Sequence, residues 1–259
     1  MKVTILGSGT STGVPMVGCN CRVCSSEDPR DKRTRASLLV QHGGRNILID
    51  ASPDLRFQSL REGIQQIDAV LFTHSHADHV NGIDDLRGFH FLHKEIIPCF
   101  GSRTTLETLL NGFRYIFHEH EGSGYAPLLK PVEIVDPFEL FGVTITPVPL
   151  RHGRTQALGF RIGSLAYLTD CNGIPPESLA LLEGLDVLVI DGLRWNPHPF
   201  HFNIEEAIAV TTPLRAVRTV LTHLSHDVLF ADGATLPPGY EFACDGMTFD
   251  SRVAGGNDA

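Results

Sequence analysis

Short β-branched runs alternate along the chain with stretches whose apolar positions recur at helical spacing. The runs predict strands over 3–6, 38–41, 46–50, 69–73, 96–100 and 144–148. Further strands are predicted over 158–162, 165–168, 187–191, 219–222, 241–243 and 247–250. Helical patterns cover 54–62, 104–111, 175–183 and 204–211, the first announced by Ser52-Pro53, an N-cap and first-turn signal. Strands outnumber helices, and the pair 38–41 and 46–50, joined through "HGGR", implies antiparallel or mixed sheet. The fold class expected is α/β (α+β), two sheets with helices outside. No repeat, low-complexity tract or linker divides the 259 residues, so one domain over 1–259 is expected. The segment "HEHEGSGYAPLLKP" (118–131) reads as a long polar loop, a lid or interaction loop, and the tail "RVAGGNDA" (252–259) as frayed.

Composition changes this picture little: 42% hydrophobic and 20% charged residues are ordinary for a soluble globular chain. Charge narrows the partners. The formal net charge is −9, and the absence of any basic run disfavours duplex nucleic acid and membrane surfaces. A small anionic substrate stays compatible, because a bound metal supplies local positive charge that a net count ignores. The apolar stretch at the N-terminus is too short for a signal-peptide core and no run reaches the roughly 18 apolar residues of a membrane span, so a cytoplasmic location is expected. The six cysteines then read as thiols or ligands rather than disulfides. Cys99, Cys171 and Cys244, alone in apolar surroundings, read as buried structural thiols.

Two clusters carry the chemistry. "LFTHSHADHVNG" runs a strand straight into His74, His76, Asp78 and His79. In a turn at a strand end, His74 and His76 converge on one metal while Asp78 and His79 face a second, and imidazole and carboxylate are suitable ligands for both. "GCNCRVCSSE" places Cys19, Cys21 and Cys24 within six positions, a claw that lacks the fourth ligand a closed structural zinc site requires. The glycines of "GSGTSTG" are not followed by a dinucleotide fingerprint and read as a tight loop.

His-x-His-x-Asp-His after an apolar strand resembles the metallo-β-lactamase superfamily of binuclear hydrolases, whose fold is an αββα sandwich. The resemblance implies further ligands at three later strand ends, and "PVPLRHG", "LAYLTDCNG" and "TVLTHLSHD" supply His152, Asp170 and His223 in that order. By resemblance, His74, His76 and His152 hold one divalent ion, Asp78, His79 and His223 the other, and Asp170 bridges. Asp50, closing "NILIDAS", matches the family's acidic strand end and is expected to orient a liganding imidazole through its other nitrogen. His226, three residues after His223, is the candidate fourth ligand of the cysteine claw, giving a closed and therefore structural zinc site. That combination is similar to the PhnP-like cyclic phosphodiesterases, and the resemblance runs from Gly7 to the "CDGM" at 244–247.

Within that family, "PHPFHFNIEEA" places His201 where a histidine reaches over the metals, to protonate a leaving alkoxide or to bind a phosphate oxygen; Asp78 is the second catalytic candidate. The resemblance implies hydrolysis of a small phosphodiester, such as phosphoribosyl 1,2-cyclic phosphate, with two zinc or manganese ions and one structural zinc. It also implies a homodimer. Pocket walls are expected from 85–125 and 151–156, with Arg151 and Arg154 as phosphate partners or exposed side chains. An RNase Z-like enzyme, a PqqB-like protein, a thioester or lactam hydrolase and a non-catalytic zinc module are the competing readings.

Overall fold

Each predicted run forms a strand, and the strands are sorted into two sheets by which of their faces meet. In the computed structural model residues 1–118 and 128–253 are described. Among them the first half comprises β1 (Lys2–Gly7), β2 (Ser37–His42), β3 (Arg45–Ile49), α1 (Leu55–Arg61), β4 (Ala69–Leu71), α2 (Ala77–Val80), α3 (Leu86–His93), β5 (Ile97–Gly101), α4 (Arg103–Gly112) and α5 (Arg114–Phe117). The second half comprises β6 (Leu129–Glu133), β7 (Phe138–Leu140), β8 (Val143–His152), β9 (Thr155–Ile162), β10 (Leu165–Leu168), α6 (Pro176–Leu179), β11 (Val187–Asp191), α7 (Ile204–Thr211), β12 (Arg218–Thr222), β13 (Tyr240–Phe242) and β14 (Thr248–Asp250).

One seven-stranded sheet runs β14-β1-β2-β3-β4-β5-β6 and the other β13-β12-β11-β10-β9-β8-β7. Both are mixed: β3 to β6 pair in parallel, as do β10 to β13, and the remaining pairs are antiparallel. The β2–β3 hairpin closes through Gly43 and Gly44, at φ +56° and +76°, which pairs His42 with Arg45.

The pleat explains why the runs are apolar throughout rather than alternating. Leu38, Val40, Ile47 and Ile49 of one sheet meet Leu165, Tyr167, Val187 and Val189 of the other in a shared core. Leu39, Leu48 and Val70 point the other way, onto Leu55, Leu86, Leu106 and Leu109 of the helices. On the far side, Ala166, Leu168, Leu188 and Ile190 pack against Ile204 and Ala207 of α7. Both faces are thus buried, and the layers run helix, sheet, sheet, helix. Each buried Leu or Ile contributes roughly 1.5–3 kcal/mol, so the strand ends that carry the site are anchored by packing.

A strap completes the molecule. Residues 8–10 run beside Leu224, whose N–H donates to Ser8 O at 2.9 Å while Thr10 N–H donates to Leu224 O at 3.2 Å. Arg33 is fully buried and donates to Ser225 O and Val228 O, with Asp31 as its counter-ion at 3.1 Å.

Several expectations need correction. The segment 118–131 is not all loop: Leu129–Glu133 forms β6, while 119–127, the body of the expected lid, lies outside the described residues. Most of the tail, 254–259, also lies outside them. Strand β7 and helices α2, α3 and α5 were not predicted. α1 begins at Leu55, with Ser52 Oγ accepting from Asp54 N. Cys99 and Cys171 are buried free thiols, but Cys244 is only partly buried. No described helix is long and apolar enough to cross a membrane.

Candidate metal centre

The chain leaves β3, β4, β8, β10, β11 and β12 towards one edge of the sandwich, and the polar residue at or just after each end turns inward there. His74, His76, His152 and Asp170 form one group and Asp78, His79, Asp170 and His223 another; within each, ligand atoms lie within 4.8 Å of one another. All seven residues expected from the sequence are thus brought together, and Asp170 belongs to both groups. One of its carboxylate oxygens lies 3.1 Å from His79 Nε2 and 3.3 Å from His223 Nε2, and the other 3.8 Å from His74 Nε2. His152 Nε2 and His76 Nδ1 face each other at 3.3 Å.

The opposite nitrogens of three of these rings, His79, His74 and His152, are held from behind. His79 Nδ1 donates to Asp50 Oδ2 at 2.7 Å. Thr73 donates its hydroxyl to the same carboxylate at 2.8 Å and accepts from His74 Nδ1 at 3.0 Å, so Asp50 fixes both rings. Asp50 caps no helix. His152 Nδ1 donates to Phe200 O at 3.0 Å.

This arrangement fits metal ions. The Nε2 atoms of His74, His79 and His223 are buried without a hydrogen-bond partner, and each such orphan costs about 1–3 kcal/mol unless something ligates it. Burial holds the His74 and His152 imidazoles below their ordinary range, leaving neutral lone pairs. Burial works the same way on His79 and His223, but Asp170 overrides it: His79 rises well above its usual value and His223 to about 9. Asp170 and Asp78 stay well below the carboxylate range, the pull of neighbouring imidazoles outweighing their burial.

His226 meets the three cysteines. Cys19 Sγ and Cys21 Sγ each lie 3.4 Å from His226 Nδ1, and with Cys24 they form a third group within the same 4.8 Å limit. The Cys24 N–H and His226 lower the Cys21 thiol to about 6, towards the thiolate a ligand must be, whereas burial pushes Cys24 up to about 11.

A model of the Beta-lactamase superfamily domain matches residues 45–224. The chain belongs to that superfamily. Its two sheets and outer helices are the metallo-β-lactamase fold. Among solved structures, a diphosphatase from the PhnP family superposes with a TM-score of 0.92 at 41% identity over 98% of both chains. An octanoyltransferase from Porphyromonas gingivalis is 43% identical over 253 residues, 95% of this chain but 51% of the relative, so the chain spans about half of that protein. Coenzyme PQQ synthesis protein B from Methylobacterium radiotolerans is 30% identical over 74% of this chain and 73% of its own length.

Two residues of this β-lactamase-superfamily site escaped the sequence reading. One is Thr73. The other is Asp191, which ends β11, accepts from Cys171 N at 2.9 Å and from His201 Nδ1 at 2.7 Å, and stands 4.0 Å from His223 Nδ1. The signal was present: "VLVID" ends on an acid as "NILID" does. His201 is brought to the cluster, its ring stacked on His223 with centroids 4.9 Å apart. Arg151 and Arg154 are exposed. Asp85, Arg87, Phe89 and Leu92, in part of the expected pocket wall, instead line a cavity of about 670 Å³ against α1. Residues 119–125 of that wall are outside the described residues.

Proposed function

We propose that this protein is a metal-dependent hydrolase of small disubstituted phosphates. The observation that carries the reading is Asp170, one carboxylate common to two ligand groups with three orphaned imidazole nitrogens around it. His74, His76, His152 and Asp170 would hold one divalent ion, and Asp78, His79, Asp170 and His223 a second. Their nitrogen and carboxylate donors suit zinc or manganese; Cys19, Cys21, Cys24 and His226 suit a structural zinc. When bound, the paired ions supply Lewis-acid polarisation of a phosphoryl oxygen and lower the pKa of water.

The chain's own residues do the rest. Asp50 and Thr73 keep His74 and His79 turned with Nε2 inward. Asp191 accepts from His201 Nδ1 and fixes the ring, so that Nε2 is the nitrogen left to pass a proton to a departing oxygen. Asp78 stays ionised beside His79 and His223. Sequence resemblance favours a cyclic phosphodiester as substrate. Likeness to the PhnP-family diphosphatase supports a second reading, in which the bond broken is P–O–P. Both substrates share a phosphorus with two substituents and one negative charge.

The test is a panel of a cyclic phosphate, bis(4-nitrophenyl) phosphate, a diphosphate diester, an acyl thioester and a β-lactam, run on metal-analysed protein. Turnover of a phosphorus substrate, about three metals per chain, and loss of both turnover and two metals in Asp170→Ala are expected. Hydrolysis confined to the thioester or lactam would overturn the reading.

A further inference from the structure

The loop 194–202 carries a second histidine that this chemistry leaves unused. The His198 ring lies 5.1 Å from that of His201, which itself lies 5.0 Å from His152 and 4.9 Å from His223. His198 therefore stands one ring farther out than His201, at the rim of the site and half-buried.

Its orientation is set. Phe200 N–H donates to His198 Nδ1 at 3.3 Å. A ring nitrogen that accepts carries no proton, so the ring is neutral and its proton sits on Nε2. No described residue accepts from that Nε2.

The loop itself is pinned to the strand ends. Arg194 donates to Asn196 O and Pro197 O, Asn172 Nδ2 to Pro199 O, and Phe202 N–H to Cys171 O. With the loop pinned and its Nδ1 engaged by Phe200 N–H, His198 keeps its place at the rim and leaves Nε2–H as the free donor.

We infer that His198 is a substrate-positioning residue, whose Nε2–H binds an anionic oxygen of the leaving group, and that this group is itself a phosphate. The inference rests on the hydrolase reading above. With the scissile phosphorus at the ligand groups and the bridging oxygen at His201, a donor one ring beyond meets whatever the leaving oxygen is attached to. A second phosphate presents charged acceptors there, and an alkoxide carbon presents none. A hydrogen bond to a charged oxygen in a partly desolvated site is worth about tenfold or more in affinity.

The experiment compares kcat/KM of wild type, His198→Ala and His198→Gln on a symmetrical dinucleoside diphosphate and on bis(4-nitrophenyl) phosphate. In His198→Ala the ratio of diphosphate to phosphodiester activity is expected to fall about tenfold, mostly through KM, and His198→Gln, which keeps an N–H donor, recovers part of it. In ¹⁵N-histidine-labelled wild type the His198 proton is expected on Nε2, with a resonance that shifts when pyrophosphate is added. An unmoved ratio in an active enzyme, or a proton on Nδ1, overturns the inference. A wild type that hydrolyses neither substrate overturns the hydrolase reading instead.

Discussion

Asp50, Asp170 and His223 sit at φ +63°, +52° and +60°, backbone values that side chains enter only under constraint. Each costs on the order of 1–3 kcal/mol; Asp50 and His223 follow directly on β3 and β12, and Asp170 comes one residue after β10, so strand packing holds all three there. The reversal is what turns an acid or an imidazole inward at once, where an extended residue would carry the chain past the edge. Asp and His tolerate this region better than most residues, which is one reason the ligand types were readable at strand ends. Asp191 was not read because it works through His201 rather than in a dense motif, and Thr73 because a threonine closing a strand is ordinary. Their pairing with His201 and His74 is visible only in space. His201→Ala should keep its metal content and lose 10²–10⁴-fold in kcat on substrates with an alkyl alkoxide leaving group, a range typical of general acids. On a 4-nitrophenolate leaving group, which needs no proton, the loss should be far smaller. Equal losses on both would make His201 a phosphate binder instead.

At the scale of elements, the site depends on two strand-end loops locking together. Gly153, at φ +61°, lies under Phe200: a Cβ there would stand 2.3 Å from Phe200 Cδ1. Gly153→Ala is therefore expected to lift the 194–202 loop, with tenfold or greater loss of kcat/KM and unchanged metal content. Full activity in that variant would show that the loop can be displaced without consequence. The two strands that pattern reading missed share a cause. β6 carries Pro131 and β7 follows Pro137, and both are edge strands, the places where a sheet tolerates a missing N–H. Proline there reads as loop. The four-residue α2 and α5 are too short to show a helical period, and α2 lies inside the histidine motif itself. The central strands, buried on both faces, announced themselves as unbroken apolar runs.

For the molecule as a whole, the strap matters more than its length suggests. The cysteine group fastens residues 19–24 to His226, and Arg33 fastens the same strap to the carbonyls of Ser225 and Val228. His223, which lies against Asp170, stands three residues before His226. His226→Ala should lose one zinc and lower Tm by ~10 °C or more, because structural zinc sites contribute several kcal/mol or more to folding. Arg33 keeps the loop in place, so the other seven ligands and their two metals are expected to remain. An unchanged zinc content, measured by mass spectrometry, would mean that some other group completes the claw.

The same separation along the chain has a consequence for how the protein is made. Cys19, Cys21 and Cys24 leave the ribosome about 200 residues ahead of His226. At roughly 5–20 residues per second this leaves three closely spaced thiols without their fourth partner for about 10–40 s. During that interval they are open to oxidation into the wrong pair and to capture of a soft metal. The yield of correctly assembled protein should therefore depend on the reducing state and, with the proposed structural zinc, on the metal supply at the moment of synthesis more than on either afterwards.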